Sequence, residues 1–176
     1  MKRGKKLVIN LTLIFVILLG FYYFGGYYIS KQQCIVETLR GLYGTESREI
    51  MELQQGNYII TLMADENDES FSIVGIKKTG FLYRTASSSV GVQIDKERAM
   101  KVSGTFSSDR GGVVFIYRNH PDIVRVEVEM QNGEQHTITE WQENYAGFLV
   151  NDKKEWYPGT YKAYNAAGEL IEEVNY

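Results

Sequence analysis

The sequence predicts a mainly β protein: an N-terminal transmembrane helix, a short amphipathic helix, then an antiparallel β-sandwich-like domain of about ten short strands. Three observations carry that expectation. No charged residue occurs between Leu7 and Ser30, directly after a basic cluster. From Lys31 to Tyr43 the apolar residues Ile35, Val36, Leu39, Leu42 and Tyr43 recur at helical spacing. From Arg48 onward, short runs with strand-like alternation are separated by Gly-, Asn- and Asp-rich turn signals.

Residues 1–6 form a basic segment with Lys2, Arg3, Lys5 and Lys6. Leu7–Ile29 is apolar on all sides, unlike a surface-lying helix. At 1.5 Å per residue it reaches roughly 35 Å, enough for a hydrocarbon core of about 30 Å. The basic cluster places the N-terminus in the cytoplasm and residues 30–176 outside, as a single-pass protein of the cell membrane. Phe21, Tyr22, Tyr23, Phe24, Tyr27 and Tyr28 fall at the outer boundary, where amphipathic rings belong. A cleaved signal has a shorter apolar core and a small-residue exit, so an uncleaved signal anchor is expected. Lys31-Gln32-Gln33 before Cys34 does not suit a lipid-attachment site.

Strands are expected at Arg48–Leu53, Tyr58–Ala64, Phe71–Lys78, Phe81–Thr85, Val102–Phe106 and Val113–Arg118. They continue at Ile123–Met130, Gln135–Trp141, Gly147–Val150, Thr160–Tyr164 and Glu169–Val174. Gln93–Met100 reads as a helical turn or a solvated loop. Asn132-Gly133 is the strongest hairpin signal. A two-residue loop there sets Val128 opposite Thr137, Val126 opposite Thr139 and Val124 opposite Trp141 on a buried side. The exposed side then pairs Glu129 with His136, Glu127 with Ile138 and Arg125 with Glu140.

The charge is uneven. The whole chain sums to −3, but the 170 residues after the basic cluster carry 15 basic and 22 acidic groups, or −7. An acidic body argues against nucleic-acid binding. A lone cysteine excludes an intrachain disulfide framework and a Cys-based zinc site. Cys34 is therefore either an inert thiol beside the membrane or a bridge to a second chain. His120 sits in turn chemistry, Asn119-His120-Pro121-Asp122, and His136 has a carboxylate partner in the expected register, so no metal is expected. Asp65–Glu69 fails the calcium-loop pattern, having Ser70 and Ile76 where Gly and Glu are required. Ser87-Ser88-Ser89 lacks any nucleophile context, and Gly111-Gly112 leads into a strand rather than a phosphate-binding helix. No cofactor is expected. Trp156-Tyr157-Pro158-Gly159 is loop-like, and Trp156, Tyr157 and Tyr161 form the candidate ligand-binding surface.

Four segments resemble an uncharacterised family of short membrane-anchored or secreted extracytoplasmic proteins of Bacillus-type Gram-positive bacteria. They are Glu37-Thr38-Leu39-Arg40 with Tyr43-Gly44; Phe71–Lys78 with Gly80-Phe81; Val114–Asn119 with Asp122-Ile123; and Tyr161–Asn165 with Gly168–Ile171. The similarity spans most of Ile35 to Tyr176. Relatives carry Trp near Gly80-Phe81, where this chain has Phe81 and Tyr83. The resemblance implies an extracytoplasmic location and supplies no activity and no site residues. The expectation is a non-enzymatic cell-envelope domain that binds a partner protein. One alternative is a sensor or ligand-binding module for cell-wall glycan or a small ligand. Another is a carboxylate-dependent hydrolase.

Overall fold

The computed structural model describes residues 2–40, 47–107, 111–150 and 158–175. Its elements are α1 (Lys2–Phe24), β1 (Tyr27–Tyr28), α2 (Lys31–Arg40), β2 (Ser47–Gln55), β3 (Tyr58–Asp65), β4 (Ser70–Thr79) and β5 (Leu82–Gln93). There follow β6 (Met100–Ser107), β7 (Gly111–Arg118), β8 (Arg125–Met130), β9 (Gln135–Ile138), β10 (Tyr145–Val150), β11 (Pro158–Tyr164) and β12 (Leu170–Asn175). They form three antiparallel sheets with strand orders β1-β5-β4-β3-β2, β10-β7-β6 and β12-β11-β8-β9.

The sheets stack, and β7 is the reason. Its seven residues from Gly111 to Tyr117 are all buried, as in a strand covered on both faces. Val113, Phe115 and Tyr117 point one way, meeting Ile60 and Leu62 of β3 and Phe71 and Ile73 of β4. Val114 and Ile116 point the other way, meeting Val126, Val128 and Met130 of β8 and Tyr161 and Ala163 of β11. The three-stranded sheet is thus the middle layer. On the far side of the five-stranded sheet, α2 seats Cys34 and Ile35 against Met63, Val74 and Ile76. Ser30 caps α2 by accepting from the Gln33 N–H at 3.1 Å. The layers therefore run α2, five-stranded sheet, three-stranded sheet, four-stranded sheet.

The mainly β architecture agrees with the expectation, and several details differ. The N-terminal helix stops at Phe24 instead of running to Ile29. Gly25 and Gly26 end it, Gly26 at φ +61, and Tyr27-Tyr28 joins the edge of the five-stranded sheet against Arg84 and Tyr83. The strand expected at Phe81–Thr85 continues to Gln93. Ser87, Ser88 and Ser89 lie in it, opposite Gly75, Val74 and Ile73, so pairing with a buried strand overrides a weak local preference. Of Gln93–Met100, the loop between β5 and β6 is residues 94–99, with a turn at Lys96-Glu97, while Gln93 and Met100 are strand ends. The segment Gln135–Trp141 is strand only as far as Ile138.

The Asn132-Gly133 hairpin is shifted by one residue. The Gly133 N–H donates to Met130 O at 2.9 Å, the Met130 N–H donates to Glu134 O at 2.8 Å, and Gly133 has φ +83 while Asn132 is not left-handed. This is a three-residue loop with glycine in the left-handed position. Val126 then faces Ile138, Val128 faces His136, and Glu127 faces Thr137. The valines of β8 stay buried, but the faces of β9 are exchanged, and Ile138 enters the core at 9% exposure. Val124 lies outside the strand and is 40% exposed. Arg125 reaches Glu127 at 3.6 Å and the Tyr164 ring at 4.4 Å, not Glu140.

A packing prediction follows from β6. A Cβ on Gly104 would lie 2.5 Å from the Val113 carbonyl oxygen, a backbone atom that cannot swing away. Gly104→Ala should lower stability by about 2 kcal/mol, read as a reduced urea midpoint by tryptophan fluorescence. A midpoint equal to wild type would refute it.

Candidate functional site

The outer face of the four-stranded sheet is built by strict alternation. In β8, Val126, Val128 and Met130 go to the core, so Arg125, Glu127 and Glu129 go out. In β11, Tyr161 and Ala163 are fully buried, so Thr160, Lys162 and Tyr164 share the outward face. Pairing brings Glu127 beside Lys162 and Thr137, and Glu129 beside Thr160 and Gln135. These six side chains line a shallow polar groove of about 240 Å³. Its acids are stacked along one strand, Lys162 stands across from Glu127, and its hydroxyls and amide offer both donors and acceptors. Such a surface can hydrogen-bond a polar ligand or a partner's backbone.

Of the expected ligand-binding aromatics, Trp156 and Tyr157 lie outside the described residues. Tyr161 is placed between the middle and outer sheets at 0% exposure, so its ring is core. The residues flanking it, Thr160 and Lys162, are the ones that line the groove. His136 stacks on Phe148 at 4.3 Å, and its Nε2 lies 3.1 Å from Glu134 rather than beside Glu129. The other histidine, His120, is exposed, with Nδ1 3.7 Å from Asp122. Among the described residues no three His, Cys, Asp or Glu side chains gather as a metal would require. Trp141 is half-buried, donates from Nε1 to Val124 O at 3.3 Å and carries the Arg118 guanidinium at 4.6 Å.

Sequence reasoning missed a second cluster. Arg48, at the start of β2, donates to Asp68 at 2.8 Å and to Glu143 at 2.6 Å. Asp68 and Glu143 are the two non-glycine residues with positive φ among the described residues, at +51 and +56. Asp68 also accepts from the Tyr145 hydroxyl at 3.0 Å. Burial, then the Asp68 carboxylate, pushes the Tyr145 phenol far above its ordinary range, so it is a fixed donor and not a base. The β3–β4 turn beneath is set by Asp65, which accepts from the Glu69 and Ser70 N–H groups at 2.8 Å each. Burial pulls the Asp65 carboxyl upward, but these donors together outweigh it and hold it below the usual range. The cluster is a clasp between the first two sheets, in which Arg48, Asp68 and Glu143 each have a partner of opposite charge. Nothing local in the sequence pairs Arg48 with Glu143, 95 residues later.

Cys34 is free and fully buried on the sheet-facing side of α2, its Sγ 3.7 Å from Thr85 Oγ1. Burial raises the thiol, partly opposed by the Thr85 and Thr38 hydroxyls. A bridge to a second chain through this sulfur would first require α2 to lift. Maleimide labelling of the folded chain should be slower than in urea by about a hundredfold, matching local opening of about 3 kcal/mol. Equal rates would place the thiol at the surface.

No family model matches the chain, and no curated protein is similar to it.

Proposed function

We propose that the chain is a membrane-tethered extracytoplasmic domain that binds a partner protein in the cell envelope and performs no chemistry itself. The observation that carries the tether is α1. Gly4–Tyr22 has a mean hydropathy of 1.9, and none of it is buried against the body. Leu7, Ile9, Phe15 and Ile17 are each about half exposed or more, around the whole circumference. Water is a poor solvent for such a surface, and hydrocarbon is a good one. The basic residues before it favour a cytoplasmic N-terminus. The groove of the four-stranded sheet supports the interaction reading, because that sheet is the layer farthest in the stack from α2.

Mild crosslinking in membranes followed by co-purification tests this. The wild type should capture a discrete partner, and Glu127→Lys with Lys162→Glu should lose it. Repeated recovery of the chain alone would count against the reading, and capture unaffected by both changes would remove the groove from it.

A second reading is a module for cell-wall glycan or a small ligand in the same groove. The mixed hydroxyl, carboxylate and ammonium lining favours it, as does the continuity of Thr160 with the segment carrying Trp156 and Tyr157. Binding to purified wall material that survives both Lys162→Ala and Trp156→Ala would refute that site. The hydrolase reading has the least support. Glu127 and Glu129 sit side by side on one strand, whereas two-carboxylate hydrolysis needs groups on opposite sides of the scissile bond.

A further inference from the structure

The β4–β5 hairpin ends beside α1. Its loop is Gly80-Phe81, closed by the Thr79–Leu82 pair, with Gly80 at φ +63. Phe81 is 65% exposed at the tip, a large apolar ring where a turn in water ordinarily carries polar residues. Phe81 and Leu82, with Ile29, face Phe15, Leu18, Leu19 and Tyr22 of α1 across an apolar cleft of about 290 Å³. These four α1 residues follow i, i+3, i+4, i+7 spacing, so the hairpin faces one stripe of the helix.

The rows behind the tip change character in order. One cross-strand row reads Tyr58, Lys77, Arg84, Tyr27. In it Lys77 lies 5.2 Å from the Tyr58 ring and Arg84 lies 5.8 Å from the Tyr27 ring. The next row holds Lys78 opposite Tyr83 and Tyr28, with Lys78 5.9 Å from the Tyr83 ring. Two rows of cations on tyrosines therefore precede an apolar tip. That is the residue order of a headgroup boundary followed by hydrocarbon. It is also a basic patch on a body that is acidic overall.

Two separate lengths agree. From Lys77 to Phe81 is four residues of hairpin, about 13 Å at 3.3 Å each. From Tyr22 back to Phe15 is seven residues of helix, about 10 Å at 1.5 Å each. Tyr27, in the row of Lys77 and Arg84, packs edge-on against Phe21 at 6.0 Å, so with that row and Tyr22 at the headgroup level the tip lies about as deep as the cleft it faces.

We infer that the β4–β5 hairpin is a second membrane contact: Phe81 and Leu82 enter the acyl region of the leaflet that holds α1, and Lys77, Lys78 and Arg84 lie among its anionic headgroups. This rests on the reading of α1 as a retained anchor. The cleft commits the occupant, because half its wall is α1 itself, and what surrounds that helix in a membrane is lipid. The body would then stand in a fixed orientation with this end of the five-stranded sheet down.

The test uses the full chain in vesicles of zwitterionic and anionic lipids with brominated acyl chains. Three variants each add one tryptophan: Phe81→Trp at the tip, Phe15→Trp in α1, and Asn67→Trp in the β3–β4 turn at the opposite end of the sheet. All are read as the difference from wild type. The added emission of F81W and F15W should be blue-shifted and mostly lost to bromine, with that of N67W unchanged. Quenching of F15W without F81W overturns the hairpin contact and leaves the anchor standing; a protein segment filling the cleft would give this result. No quenching of either overturns both. Equal quenching of N67W and F81W overturns the orientation. Phe81 is an exposed turn residue, so its replacement should leave the fold intact, as unchanged urea unfolding would show.

Discussion

Tyr145→Ala should cost about 3–5 kcal/mol, the range for removing a large buried aromatic side chain. Tyr145 is fully buried at the junction of the five- and three-stranded sheets. Its ring lies 4.8 Å from Tyr117 and 6.1 Å edge-on from Phe71. Truncation leaves a cavity between two sheets whose strands cannot easily close on it. A domain of this size has roughly 5–15 kcal/mol in total, so about a fifth or more of the stability would go. Tyr145→Phe keeps the ring and removes only the donor to Asp68. Asp68 is partly exposed, so water replaces some of what is lost, and about 1 kcal/mol is expected. Arg48→Ala should cost less than about 1 kcal/mol, because its ion pairs are open to solvent. Urea midpoints of the three variants check this order. If Tyr145→Phe proved as damaging as Tyr145→Ala, the clasp rather than the packing would hold the two sheets together.

The periodicity of the chain showed where strands lie better than which face each one buries. Val113–Arg118 reads as a strand without revealing that it is buried, or that two different sheets cover its two faces. That fact depends on β3, β4, β8 and β11, distant in sequence. The Asn132-Gly133 signal located its hairpin and mis-set its register. Two loop geometries suit that dipeptide, and they differ by one residue. Ile138 was the deciding clue, since only the longer loop buries the one aliphatic side chain of β9. The Arg48 clasp had no local signature, because its partners Asp68 and Glu143 come from two separate turns and meet only when the sheets stack. The outward face of the four-stranded sheet was half legible. Alternation placed Glu127 and Glu129 on the surface, while Lys162 and Thr160 joined them through a pairing of β8 with β11 that no turn connects. Tyr161 shows the same limit: its neighbours are surface, and one residue of parity makes it core.

Leu13→Arg with Val16→Arg should remove the chain from membranes. Each arginine near the middle of a spanning helix costs about 3 kcal/mol, so the pair costs about 6 kcal/mol, or roughly 10⁴ in partition. Both positions are more than half exposed in α1, so the described residues do not shelter a charge there. The wild type should stay with membranes through alkaline extraction, and protease added to intact cells should reach the body. The double variant should fail both measurements, its body remaining inside. Gly20→Arg is the internal contrast. It directly precedes Phe21, the first residue of the outer aromatic boundary, where a long basic side chain can reach the headgroups, so the cost falls and anchoring should survive. A wild-type body found soluble outside the cell, with an N-terminus beyond Phe24, would instead identify α1 as a cleaved signal. The second membrane contact at Phe81 would then have no helix beside it.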